Sequence, residues 1–165
     1  MRSRRRQRRI ILHKVPGNRG TPWLLGGAAL SFAAAALHIA MIFGGPEWYR
    51  FFGAGEQIAT AAERGSLMPA AITSGIAILL TLWALYALSG AGRVRRLPLL
   101  RTGLVVISAI YLARGLLLVP VIFLVPYPEG AFDYWSSAIV LLYGLVMAIG
   151  TWKAWPAMQP ALAAA

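Results

Sequence analysis

Four blocks of apolar residues alternate with short polar stretches along this chain, and each block is about as long as a bilayer is thick. They run from Trp23 to about Phe43, from Leu67 to Ser89, from Thr102 to about Val125, and from Trp135 to about Trp155. At about 1.5 Å per residue, each can cross roughly 30 Å of hydrocarbon. Inside lipid the backbone must satisfy its own N–H and C=O groups, so each block is expected to be a helix. The apolar residues fall in long blocks, not in the alternation of a strand or the stripe of a water-exposed helix. The predicted fold is an all-α membrane protein: an antiparallel four-transmembrane-helix bundle over residues 23–155, between a basic tail (1–22) and a short tail (156–165).

The polar stretches carry their own pattern. Pro46 followed by Glu47 suits a helix start, with proline at the first position and a carboxylate near the positive end of the helix dipole. Trp48-Tyr49-Arg50-Phe51-Phe52 is too apolar for a free loop, and Glu56 to Arg64 also has a helical pattern. One or two short interfacial helices are therefore expected in the first outer loop, broken at Gly53-Ala54-Gly55. They would serve as an anchor at the interface or as a lid over a cavity between the spans. Pro120 is expected to kink the third span, and Pro126 and Pro128 to end it. Pro16, Gly17, Asn18 and Gly20 punctuate the N-terminal lead, which is expected to be mobile.

Charge sets the orientation. The residues are 59% hydrophobic and only 13% charged, against roughly 25% charged in an average soluble domain. The formal net charge of +11 would suit nucleic acid if it formed one basic face, but it does not. Eight cations precede residue 20 (Arg2, Arg4, Arg5, Arg6, Arg8, Arg9, Lys14 and Arg19), and Arg93, Arg95, Arg96 and Arg101 share one loop. Lys153 lies at the end of the fourth block. All five acidic residues (Glu47, Glu56, Glu63, Glu129 and Asp133) fall in the other two loops, with only Arg50 and Arg64 beside them. By the positive-inside rule, both termini are cytoplasmic in a multi-pass inner-membrane protein. Trp23, Trp152 and Trp155 fall at the inner interface, and Trp48, Tyr49, Tyr127, Tyr134 and Trp135 at the outer one. The basic lead is expected to meet anionic headgroups of membrane lipids; no nucleic-acid partner is expected. Its basic run before an apolar stretch is also the layout of an export signal, with Arg8-Arg9 resembling a twin-arginine lead. That first stretch is a full span long, however, and more membrane helix follows. High alanine, arginine and glycine content suits a GC-rich bacterial genome.

The candidate chemistry is sparse. There is no cysteine, so thiol chemistry and Cys-ligated metals are excluded. The two histidines, His13 and His38, lie in different regions, which gives no metal site and no pair of axial haem ligands. No cofactor motif, phosphate-cradling glycine motif or Gly-x-Ser-x-Gly elbow occurs. The exception is Arg114, twelve residues into the third block, where a charge costs about 2.5 to 3.5 kcal/mol on insertion scales. Such a residue faces a partner, ties helices together, or binds a ligand. His38 sits at similar depth in the first block. Glu56, after a flexible Gly-Ala-Gly, is the carboxylate expected to fold toward them, with Glu47 the alternative counter-ion. The candidate ligand-binding set is therefore Arg114, His38, Glu56 and Tyr111, supported by Ser74, Ser108 or Tyr143.

Three functions follow. The first is a small protein that binds, or helps to move, a small anionic or amphiphilic ligand at an outward-facing polar pocket. The second is a structural or accessory subunit of a membrane complex, with no ligand of its own. The third, least favoured, is an intramembrane enzyme with His38 and Glu56 as acid and base. Small residues in the first block (Gly26, Gly27, Ala34, Ala35, Ala36) and the fourth (Gly144, Ala148, Gly150) permit close helix contacts.

Overall fold

The computed structural model describes residues 14–117 and 131–159. Its described residues form helices and connecting turns, without a strand. The helices are α1 (Thr21–Phe51), α2 (Glu56–Glu63), α3 (Met68–Gly90), α4 (Leu100–Leu116) and α5 (Ala131–Ala154), followed by a 3₁₀ turn, Pro156–Met158. Three helices, α1, α3 and the stretch Phe132–Ala154 of α5, are long and apolar enough to cross a membrane. They mark the chain as a membrane protein. α4 begins where the third apolar block begins and is described as far as Leu117. Pro120, Pro126, Pro128 and Glu129 lie outside the described residues, as does the cationic cluster Arg2 to Arg9.

Local sequence sets the element ends. Pro22 and Pro69 occupy the first turns of α1 and α3, where proline loses no helical hydrogen bond and its φ is already helical. α1 is helical up to Gly44 and again from Pro46, but Gly45 between them has φ 69° and ψ −157°. Only glycine takes that conformation without strain, and Pro46 then starts the second segment. The expected break at Gly44-Gly45-Pro46 is thus a sharp corner between two helical segments. The expected short helices are present as Pro46–Phe51 and α2, with Gly53 and Gly55 at positive φ between them.

Contacts along the helices show that consecutive long helices run antiparallel. Leu24 of α1 lies near Gly90 of α3, while Tyr49, further along α1, bonds Thr73 at the start of α3. Gly103 of α4 faces Tyr86 of α3. Gly115 of α4 meets Leu141 of α5, and Leu112 meets Gly144. α1 packs along both α3 and α5, α4 packs along α5, and α3 meets α4. α1 and α4 are therefore diagonal neighbours across the centre. The α4–α5 contact is backbone-close: a β-carbon at Gly115 would come within 2.7 Å of the Leu141 backbone, and one at Gly144 within 2.8 Å of the Leu112 amide nitrogen. Small residues permit this approach, and van der Waals contact then drives helix association in lipid.

This arrangement gathers charge at opposite ends. The start of α1, the α3–α4 loop and the end of α5 bring Lys14, Arg19, Arg93, Arg95, Arg96, Arg101 and Lys153 to one end. Glu47, Arg50, Glu56, Glu63, Arg64 and Asp133 lie at the other.

The lead expected to be mobile and part of the short C-terminal tail are both packed. Val15 is buried in the main core and its carbonyl abuts Gly92, so the lead is held from Val15 onward. The Asn18 side chain closes a turn, bonding the Gly20 amide (2.8 Å) and the Pro16 carbonyl (2.9 Å). Past α5, Met158 is fully buried, and Arg96 donates to the carbonyls of Met158 and of Gln159 (3.0 Å). In both cases an apolar side chain next to the basic loop is buried at little backbone cost.

Candidate functional site

Tyr111 lies at the centre of the four long helices. Spacing within α4 (Leu104, Ile107, Ser108, Tyr111, Gly115) turns it inward with the other buried residues of that helix. Its hydroxyl shares a 3.0 Å hydrogen bond with the Ser31 hydroxyl on α1, the diagonal helix. The edge of Trp83 from α3 meets the ring at 4.8 Å between centroids and 84° between planes, and Tyr143 from α5 meets it at 5.7 Å and 71°. These edge-to-face geometries match aromatic quadrupoles. One side chain thus contacts all three other long helices, and the interior is filled around it.

Arg114 lies one turn further along α4, at the seam with α5. Its guanidinium donates to the Ser137 hydroxyl of α5 at 3.3 Å, and the residue remains exposed at the bundle surface. It does not meet Glu56. That carboxylate belongs to an ion-paired group at the acidic end, where Arg50 binds Glu56 (2.7 Å), Glu63 (2.7 Å) and Glu47 (3.0 Å). The expectation that Glu56 folds back toward the third span misjudged its nearest cation. Arg50 is six residues away and presented by the Pro46–Phe51 segment, so the short loop closes on it first. Hydrogen bonds from Arg50 hold the Glu56 carboxyl below the usual carboxylate range, and those to Glu56 and Glu63 hold Arg50 charged even more firmly than usual.

His38 is half-buried on α1, and its Nδ1 is 2.8 Å from the Ala34 carbonyl of its own helix. It is joined to neither Arg114 nor Glu56 among the described contacts. The Ser31–Tyr111 bond fixes the register: His38 is seven residues beyond it on α1, and Arg114 three beyond it on α4. The two therefore differ in height by about 6 Å. Of the supporting residues, Tyr143 joins Tyr111, Ser108 bonds the Leu104 carbonyl (2.7 Å), and Ser74 is displaced by its neighbour Thr73, which bonds Tyr49 (3.4 Å). Among the described residues no group of three metal-ligating side chains occurs.

The first connecting segment is fastened down. Met41, Tyr49 and Ala59 form a second small core with Phe52 and Ile58, and Phe52 meets Phe132 of α5 edge-on at 6.1 Å. α2 packs on both α1 and α3.

Sequence reasoning did not find Ser31, Trp83 and Ser137 as partners. Each is a polar or aromatic residue within an apolar block, where a polar group needs a partner; helix-face spacing alone does not pair such residues between helices.

Comparison with protein-family models, with curated proteins and with solved structures finds no match to this chain.

Removing the Tyr111 hydroxyl (Tyr111→Phe) is expected to cost about 0.6 to 1.5 kcal/mol of stability. Ser31→Ala is expected to cost little more in the Tyr111→Phe background; additive losses in a double-mutant cycle would show that the bond contributes nothing. The Arg50 group gives a pH dependence. A depressed carboxylate adds stability above its unfolded value and loses it as pH falls through the folded value. Melting temperatures of wild type and Glu56→Gln are therefore expected to differ at pH 7 and to converge in acid below the carboxylate range. A gap that persists there would exclude the ion pair as its source.

Proposed function

We propose that the chain is a four-span protein of a bacterial inner membrane, with both termini cytoplasmic, that holds a small anionic or amphiphilic ligand in the outer half of the α4–α5 seam. In this reading α4 belongs to the third of the four spans expected from the sequence. The basic end lies in the cytoplasm and the Arg50 group outside, following the cation bias. The observation that carries the ligand is Arg114, whose guanidinium sits at a helix seam with a hydroxyl, Ser137, as its described partner. A cation at that depth attracts the headgroup or carboxylate of an amphiphile entering sideways from the lipid. Arg114 and Ser137 are the residues of this site. Tyr111 is committed to Ser31 and two aromatic rings, and His38 to its own helix, so neither is placed in contact with the ligand. The ligand would be bound, or helped across part of the membrane, without chemistry by His38 and Glu56, since each already has another partner.

One observation favours the second reading, an accessory subunit without a ligand. The interior is closed around Tyr111, which is what a folding element needs and a transport route does not. In that reading the Arg114–Ser137 bond only ties α4 to α5.

Because the chain has no cysteine, single cysteines report orientation directly. A cysteine at Gln57, exposed on α2, is expected to react with an impermeant maleimide from outside intact cells, and one at Arg95 only after permeabilisation. The opposite pattern would invert the topology. Native mass spectrometry and melting of wild type and Arg114→Gln separate the two functions. A ligand site predicts a variant that melts within a few degrees of wild type and loses a copurifying small molecule. A variant that fails to fold, with no small molecule on wild type, favours the subunit.

A further inference from the structure

A second feature lies on the same pair of helices at the opposite, basic end. Between α4 and α5 there lies a groove of about 470 Å³ lined by Val105, Ser108, Leu112, Thr151, Trp152 and Trp155, among others. Its walls are almost wholly apolar. Thr151, only 4% exposed, contributes a hydroxyl without a hydrogen-bond partner. At the mouth, Arg101 stacks its guanidinium over the Trp155 ring at 4.5 Å and donates to the Trp155 carbonyl at 2.6 Å, yet its Nε has no partner. Among the described residues, Thr151 Oγ1 and Arg101 Nε are the only buried side-chain polar atoms left unsatisfied; Thr151 lines this groove, and Arg101 stacks on Trp155, another of its lining residues. A buried polar atom without a partner costs about 1 to 3 kcal/mol, so Thr151 indicates a partner absent from the protein itself.

We propose that this groove binds one anionic phospholipid from the leaflet that faces the basic end. Arg101 and the first turn of α4 take the phosphate. That turn has no side-chain cap and borders a hollow of about 610 Å³ formed by residues 96–102, and the positive end of the helix dipole adds to the attraction. Arg93, Arg95 and Lys153 raise the local potential, and no carboxylate lies at this end among the described residues. The acyl chain lies along Val105, Leu112 and Trp152. Thr151 sits four residues inward of Trp155, about 6 Å deeper. The polar layer of a bilayer is roughly 5 to 7 Å thick on each side, so the Thr151 hydroxyl meets the lipid where its ester carbonyls lie. A soluble phosphate would use Arg101 but would leave both Thr151 and the apolar groove unfilled; the lipid satisfies all three. This site rests on the membrane reading and not on a ligand at Arg114.

Full-length protein in nanodiscs of equal phosphatidylglycerol and phosphatidylcholine, released for native mass spectrometry, tests it. Wild type is expected to retain one phosphatidylglycerol in preference to phosphatidylcholine. Arg101→Gln is expected to lose about fivefold of that preference, the contribution of one interfacial cation. Thr151→Leu, which fills the groove and keeps the charge, is expected to retain neither lipid, while Arg64→Gln, at the acidic end, behaves as wild type. Equal retention of the two lipids by wild type, or unchanged preference in Arg101→Gln or Thr151→Leu, would overturn the site. Loss of preference in Arg114→Gln alone would move the lipid to the outer seam. Should Arg101→Gln not fold, quenching of wild-type tryptophan fluorescence decides: dibrominated phosphatidylglycerol must quench more than dibrominated phosphatidylcholine at equal fraction, and equal quenching refutes the proposal.

Discussion

Tyr111 is the constraint on which the rest of the structure depends. Helices in lipid gain no hydrophobic energy by meeting one another, so packing shape and the few polar contacts decide which faces join. Tyr111 supplies both kinds of contact from one position: its hydroxyl reaches Ser31 on α1, and its ring takes the edges of Trp83 on α3 and Tyr143 on α5. A rotation or slide of any long helix would break one of these contacts. The Ser31–Tyr111 bond also sets the height of α4 against α1, and so places Arg114 relative to His38. With the centre closed, the polar groups that remain available lie along the seams.

The α4–α5 seam divides into three parts. In the middle, Gly115 against Leu141 and Leu112 against Gly144 bring the two backbones together. Toward the acidic end, Arg114 reaches Ser137. Toward the basic end lies the groove lined by Thr151 and Trp155, with Arg101 stacked on Trp155. The acidic end closes differently, through Arg50 and its three carboxylates and through Tyr49, Met41 and Ala59 beneath α2.

Most of the helical layout could be read from the residues. Apolar blocks of span length set α1, α3 and α5 to within a few residues, because lipid leaves helices as the only option. The corner at Gly45 and the short helices on either side of Gly53-Ala54-Gly55 followed from glycine and proline chemistry. Little of the candidate site could be read in this way. Arg114 announced itself by the cost of a mid-span charge, but depth along a helix says nothing of rotation about its axis. His38 and Glu56 were grouped with it on depth and loop flexibility, and each found a nearer partner: Ala34 in its own turn, and Arg50 six residues back. The packing of Val15 and Met158 against the basic loop was hidden for a related reason. A single apolar residue in a polar stretch carries no periodicity, and its burial depends on a tertiary surface that sequence does not display.

The closed middle of the seam also constrains any movement of a ligand. Arg101 and Arg114 are thirteen residues apart on α4, about 20 Å by helix rise, and both face α5. They look like two stations on one route. Between them, however, Leu112 of α4 and Gly144 of α5 approach too closely for even a β-carbon at Gly144, and an acyl chain is far wider than that. A ligand could pass from one arginine to the other only if the helices parted at that contact, which would drag Tyr111 away from Ser31 and from Tyr143. The cost of passage is then the cost of breaking the central cluster as well as the seam. The two proposed sites are therefore separate in this reading, one at the basic end and one beside the acidic end, with the Tyr111 cluster and the close α4–α5 contact between them.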